Sequence, residues 1–123
     1  MAPAPFEAAS IEVDGIRVVA VRGELDLGTA PALEPPLKAA LEAGESVIID
    51  LTECEFIDST GIALVVRAWQ QTEEAGRKLL ICSQNEQVQR VLEISGLNAS
   101  IPVRTSREQG LAALQGAAAD RTA

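Results

Sequence analysis

Residues 56–66 read Phe-Ile-Asp-Ser-Thr-Gly-Ile-Ala-Leu-Val-Val. A carboxylate, two small hydroxyls and a glycine stand between apolar residues, where a helical apolar period begins. Two chemistries suit Asp58-Ser59-Thr60-Gly61. One is structural. Any of the three polar side chains can accept a bond from a free amide of the first helical turn, worth about 1 kcal/mol, and Gly61 then allows close packing. The other is covalent modification of a hydroxyl. A phosphoryl group on Ser59 adds about −1.5 to −2 charges. A helix N-terminus tolerates that charge through its free amides and its dipole. A cap needs one polar residue, however, and three are crowded here. A second acidic pair, Glu24 and Asp26, ends another apolar run upstream.

The order of elements decides whether these clusters meet. Ile11–Val13 and Arg17–Arg22 read as strands around Asp14-Gly15, a hairpin-turn signal. GELDLGT then leaves the sheet. Thr29 is placed to cap a helix to about Ala43, but Pro35-Pro36 removes amides inside it. Either that helix starts near Glu34 or it is kinked there. Ser46–Leu51 is nearly all apolar, as in a strand buried on both faces. TECE (52–55) follows as a loop that carries Cys54. Phe56 and Ile57 anchor the motif in the core. Ser59 or Thr60 opens a helix to about Ala75, with Ile62, Val65, Val66 and Trp69 at the i, i+3, i+4, i+7 spacing. Lys78–Cys82 reads as a strand and Asn85–Ile94 as a helix. Ile101–Val103 reads as an edge strand beside Pro102. Ser106 with Gln109 resembles a capping box for a last helix to about Gln115.

The resulting order, β-β-α-β-α-β-α-β-α, predicts a single α/β domain. It has a mixed, mostly parallel sheet of four to five strands and about four packed helices. Residues 9–115 form the domain, 1–8 a flexible N-terminal segment and 116–123 a flexible tail. In such sheets functional groups collect beyond the carboxyl ends of the strands. Adjacent strands would bring Glu24 and Asp26 onto one rim with Asp58, Ser59, Thr60 and Gly61.

Composition narrows the function. Ten basic and eighteen acidic side chains give a formal net charge of −8. That opposes binding a phosphate backbone and suits a basic protein partner. The only aromatics are Phe6, Phe56 and Trp69, so stacking platforms for single strands are missing. No histidine is present, which removes histidine-based triads, dyads and ordinary zinc sites. Two cysteines 28 residues apart make no disulfide framework, so a reducing cytoplasm is the expected compartment. The N-terminus lacks a signal-peptide pattern, and no apolar run approaches ~18 residues, so membrane insertion is not expected. Neither G-x-x-x-x-G-K-[ST] nor G-x-G-x-x-G occurs, and no cofactor is expected. The motif is similar to the D-[ST]-G of aspartic proteases, but its glycine comes one place late and no second copy completes a carboxylate pair. Acids nearby also disfavour a nucleotide or small-anion sensor.

GELDL at 23–27 together with VIIDLTECEFIDSTGIALV at 47–65 resembles the STAS domain family, and specifically its anti-sigma factor antagonists. The likeness extends over roughly residues 10–115, with AGRKLLI (75–81) and VQRVLEISGL (88–97) in the places of a later strand and helix. The resemblance implies a protein that releases a transcription sigma factor by binding the anti-sigma factor that holds it. That partner is often an ATP-dependent serine kinase, which phosphorylates the serine directly after the motif aspartate, here Ser59. The phosphorylated form lets go, and a PP2C-type serine phosphatase restores it. Asp26 matches the family's acidic residue near that serine. On this reading Thr60 caps or supports the loop and Gly61 lets the partner backbone approach. Pro35-Pro36 departs from the family pattern in the first helix. STAS domains also serve as scaffolds of stress-signalling assemblies or accessory subunits of lipid transporters, where Ser59 need carry no phosphate.

Overall fold

A computed structural model describes residues 5–122, with side-chain surroundings through Gly116. Two strands, β1 (Glu7–Val13) and β2 (Ile16–Leu25), form an antiparallel hairpin. Asp14 and Gly15 join them at φ 52° and 80°, the two positive values of a type I′ turn. A 3₁₀ turn (Ala30–Leu33) leads into α1 (Glu34–Glu42), followed by β3 (Ser46–Ile57), α2 (Ser59–Glu74) and β4 (Leu79–Cys82). Then come α3 (Glu86–Ile94), a 3₁₀ turn (Leu97–Ala99), β5 (Val103–Arg104) and α4 (Arg107–Thr122). The sheet runs β1-β2-β3-β4-β5, antiparallel at β1/β2 and parallel elsewhere. The expected mixed sheet, helix count and element order are those observed.

The central strands are apolar on both pleat faces because both faces are covered. Val19, Val21, Val47, Ile49, Leu51, Leu79 and Ile81 meet Ala40 of α1, Leu64, Val65 and Ala68 of α2, and Val88 and Leu92 of α3. On the opposite face Ile16, Val18, Ile48, Leu80 and Cys82 pack with Leu114 of α4. Gly110 brings α4 close, since a methyl there would lie 2.9 Å from Cys82 Sγ.

Several boundaries differ from the sequence expectation. Gly23, Glu24 and Leu25 stay in the sheet, and TECE is strand rather than loop. These two segments pair with each other, Arg22↔Glu53 and Gly23↔Cys54, so each supplies the ladder the other lacks. Their polar residues hide the period, yet Cys54 is buried between exposed Glu53 and Glu55. Phe56 is not a core anchor and is 45% exposed, whereas Ile57 is buried. Register shifts after Ala20 and after Gly23 turn the strand about its axis and put Phe56 outward.

Thr29 caps no helix. A 3₁₀ turn precedes α1, and Pro35-Pro36 fall in the first turn of α1, where amides have no intrahelical acceptor. The buried stripe of α2 is Gly61, Leu64, Val65, Ala68 and Thr72, with Ile62, Val66 and Trp69 half-buried beside it. Asn85 caps α3 rather than opening it. Ser106 Oγ accepts from Gln109 N at 3.1 Å, but Gln109 Oε1 reaches Thr105 instead of completing the box. Glu7 and Ala8 already belong to β1, and α4 continues through Thr122. Residues 1–4 and 123 of the expected flexible ends lie outside the described residues.

Candidate functional site

β2 and β3 end side by side, with Leu25 opposite Ile57. The Asp26 turn and the start of α2 therefore share one rim of the sheet. Asp58 N donates to Leu25 O at 3.1 Å, closing the two chains together at that point. The Asp58 carboxylate then spans both: Oδ1 accepts from Gly61 N at 3.0 Å and Oδ2 from Leu27 N at 3.3 Å. One side chain thus caps α2 and holds the neighbouring turn. The cap is Asp58, not Thr60, which is half-buried and makes no cap bond.

Asp26 organises its own turn in the same way. Its Oδ1 accepts from Gly28 N at 3.0 Å and Thr29 N at 3.2 Å. Thr29 Oγ1 accepts from Asp26 N at 2.9 Å and lies 2.8 Å from Glu24 O, to which it donates. Both aspartates are held by backbone amides, so their charges sit in fixed positions. Glu24 is half-buried in β2, opposite Phe56. No Lys or Arg occurs in residues 23–37 or 46–66, so no neighbour in sequence neutralises these acids.

Ser59 is the first residue of α2 and is exposed. Its Oγ makes no hydrogen bond among the described residues. Capping is delegated to Asp58, which leaves the adjacent exposed Ser59 without a capping bond to make. Gly61 is buried, contrary to the expectation that it admits a partner. A methyl at that position would lie 2.8 Å from Ile57 Cγ1 and 2.9 Å from Leu25 O, so glycine is needed to seat α2 on β2. The structure thus brings Glu24, Asp26, Asp58, Ser59 and Thr60 onto one rim and leaves Gly61 beneath it.

Two apolar residues border the rim that the sequence reading overlooks as surface. Leu27 is 73% exposed between Asp26 and the α2 cap, and Phe56 edges a groove of about 560 Å³ with Arg90 and Val91 of α3. Leu27 carries a faint sequence signal, a leucine inside a Gly-Thr turn segment with no periodic partners. Cys54 lies under the rim, donates to Phe56 O at 3.2 Å, and is held above the usual thiol range by burial. Burial likewise pushes Cys82 up to about 12. Both thiols stay protonated at neutral pH and have little nucleophilic character. No group of acids and cysteines among the described residues is arranged to hold a metal ion. No described helix is long and apolar enough to cross a membrane.

The STAS domain family model matches residues 7–110, which includes every element of this rim. This chain belongs to the STAS domain family. An anti-sigma-B factor antagonist of Staphylococcus epidermidis is 31% identical over 100 residues, covering 80% of this chain and 93% of that protein. The crystal structure of an anti-sigma factor antagonist from Mycobacterium paratuberculosis superposes with a TM-score of 0.83 at 25% identity, covering 90% of this chain and 95% of the other. The antagonist SpoIIAA, at 20% identity, shares the fold in its unphosphorylated form with a TM-score of 0.75, over 91% of this chain and 97% of its own.

Proposed function

We propose that this STAS domain is an anti-sigma factor antagonist, a binding protein rather than an enzyme, and that phosphorylation of Ser59 ends its binding. Relatives named as antagonists of anti-sigma factors over most of their length support the first part. The observation that carries the second is local. Ser59 is exposed and its Oγ makes no hydrogen bond among the described residues, while two carboxylates of the same rim, Asp58 next to it in sequence and Asp26 at the end of the neighbouring strand, are fixed by amides. The rim offers an anti-sigma factor two kinds of contact: the exposed Leu27 and Phe56, and a cluster of carboxylates for basic groups.

The partner is a serine kinase that delivers the γ-phosphoryl group of ATP to Ser59 Oγ, and a PP2C-type phosphatase hydrolyses the ester. Docking removes water from the rim, so added negative charge weighs more in the complex than in the free protein. The protein acts in the cytoplasm, where the sigma factor is held and released. Incubation with the cognate anti-sigma kinase and ATP adds one phosphate, and tandem mass spectrometry places it on Ser59. Phosphate found mainly on Thr60 or Ser95 overturns the assignment.

A further inference from the structure

We infer that two copies of this chain pair antiparallel through the outer edge of β1, joining their sheets into one. β1 is the longer free edge of the sheet, seven residues against the two of β5. Every β1 residue is exposed except half-buried Val13. Natural edges of this length are usually guarded by charged side chains, lysine above all, by proline or by a bulge. EAASIEV contains no lysine or proline, its ladder to β2 is regular, and its two carboxylates are engaged by their own hairpin, Glu12 Oε1 accepting from Gly15 N at 2.7 Å and Glu7 lying 3.8 Å from Arg22 Nη1.

The turn fixes which main-chain groups point outward. A two-residue type I′ hairpin makes its closing pair, Val13↔Ile16, a hydrogen-bonded one. Every second pair follows suit: Ile11↔Val18, Ala9↔Ala20 and Glu7↔Arg22. The amides and carbonyls of Ala8, Ser10 and Glu12 therefore face away from the sheet. In an antiparallel pair these groups must meet their like, which excludes half of all registers.

Among the rest, one register uses all three residues. It sets Ser10 opposite Ser10 of the second copy and Ala8 opposite Glu12, for about six main-chain bonds. Glu7 then faces Val13, and Ile11, 46% exposed in the single chain, faces Ala9. No carboxylate opposes another. Centring the pair on Glu12 instead sets two carboxylates face to face, and centring it on Ala8 leaves Glu12 unpaired. Charge and hydrogen bonding thus select the same register, one in which β1 complements its own edge. Because β2 of each copy is antiparallel to its own β1, the two Ser59 rims lie at opposite ends of the joined sheet. Both stay open, and the dimer presents two docking sites.

An interface of one strand pair is at the small end of protein contacts, so association is expected at about 10–100 µM. Sedimentation velocity over that range reports it. Ser10→Pro removes an outward amide without touching the main-chain bonds to β2, losing there only the exposed bond that Ser10 Oγ accepts from Arg17 Nη1 at 3.3 Å, and raises the dimer Kd at least tenfold. Ser10→Cys places two thiols at Cα separations of about 5.5 Å, suited to a disulfide. Under mild oxidation it yields a covalent dimer, whereas Ala8→Cys, about 13 Å from its own copy, does not. The native Cys54 and Cys82 are buried and do not contribute. Wild-type protein that stays monomeric throughout overturns the proposal. So does a wild-type dimer that Ser10→Cys fails to trap, or one unaffected by a folded Ser10→Pro. The cross-link decides the matter if Ser10→Pro does not fold.

Discussion

Ser59→Asp weakens binding to the cognate anti-sigma factor at least tenfold, while Ser59→Ala binds like the wild type and resists inactivation by the kinase. The effect comes from where the new charge is placed. At ~6 Å, one added charge repels a neighbouring carboxylate by about 0.7 kcal/mol in water and about 2.8 kcal/mol at an effective dielectric of 20. The free protein already bears the smaller value. Docking strips water from the rim and imposes the difference, about 2 kcal/mol for each fixed carboxylate, where 1.4 kcal/mol is tenfold in affinity. Asp58 and Asp26 cannot swing away to relieve it, because backbone amides hold both. The alanine variant removes only an unbonded hydroxyl from an exposed helix start. Isothermal titration with both variants checks the pair, and equal affinities contradict the charge argument.

Arg107→Met lowers the stability of the fold by about 3 kcal/mol. Asp50, in the middle of β3, is 4% exposed and faces α4. Its Oδ2 accepts from both Arg107 Nε and Nη2 at 2.9 Å, and its Oδ1 accepts from Thr52 N at 3.0 Å. Removing the guanidinium leaves a buried carboxylate with one amide donor. Such losses run about 3–5 kcal/mol for a buried pair, and the partly exposed arginine places this one at the lower end. Urea denaturation measures it as a lower midpoint with an unchanged slope. Asp50→Asn in the same background should restore part of the loss, because the stranded charge is gone. A loss below about 1 kcal/mol would mean that water or another group satisfies Asp50. α4 lies on the sheet face opposite α2, so partner binding by folded Arg107→Met is unchanged.

Much of this arrangement is written in short-range patterns. SVIIDL and LLIC are apolar because both faces of the inner sheet are covered. Asp14-Gly15 forces a tight hairpin, and Asn85 and the Asp58-Ser59-Thr60 cluster announce helix starts. Those patterns are enough to place the two acidic clusters at the ends of neighbouring strands. What stays hidden depends on pairing between distant segments. TECE looks like a loop until GEL, some thirty residues earlier, is laid beside it. Phe56 looks like core until the register shifts in the β2/β3 pair turn it outward. Asp58, Ser59 and Thr60 are equally good caps on paper. Only the passage of Leu27 N beside Asp58 Oδ2 gives the aspartate two amides to accept from and leaves Ser59 unoccupied. Gly61 reads as an opening for a partner, but the atoms that crowd it, Ile57 and Leu25, belong to the chain itself.

The most direct test compares the native protein in two covalent states. The cognate anti-sigma factor is titrated with unmodified chain and with chain phosphorylated stoichiometrically on Ser59, both shown to be folded by circular dichroism. The account predicts tight binding of the first and a loss of at least a hundredfold for the second, since a phosphate carries about −1.5 to −2 charges. Matching affinities for the two forms would contradict it.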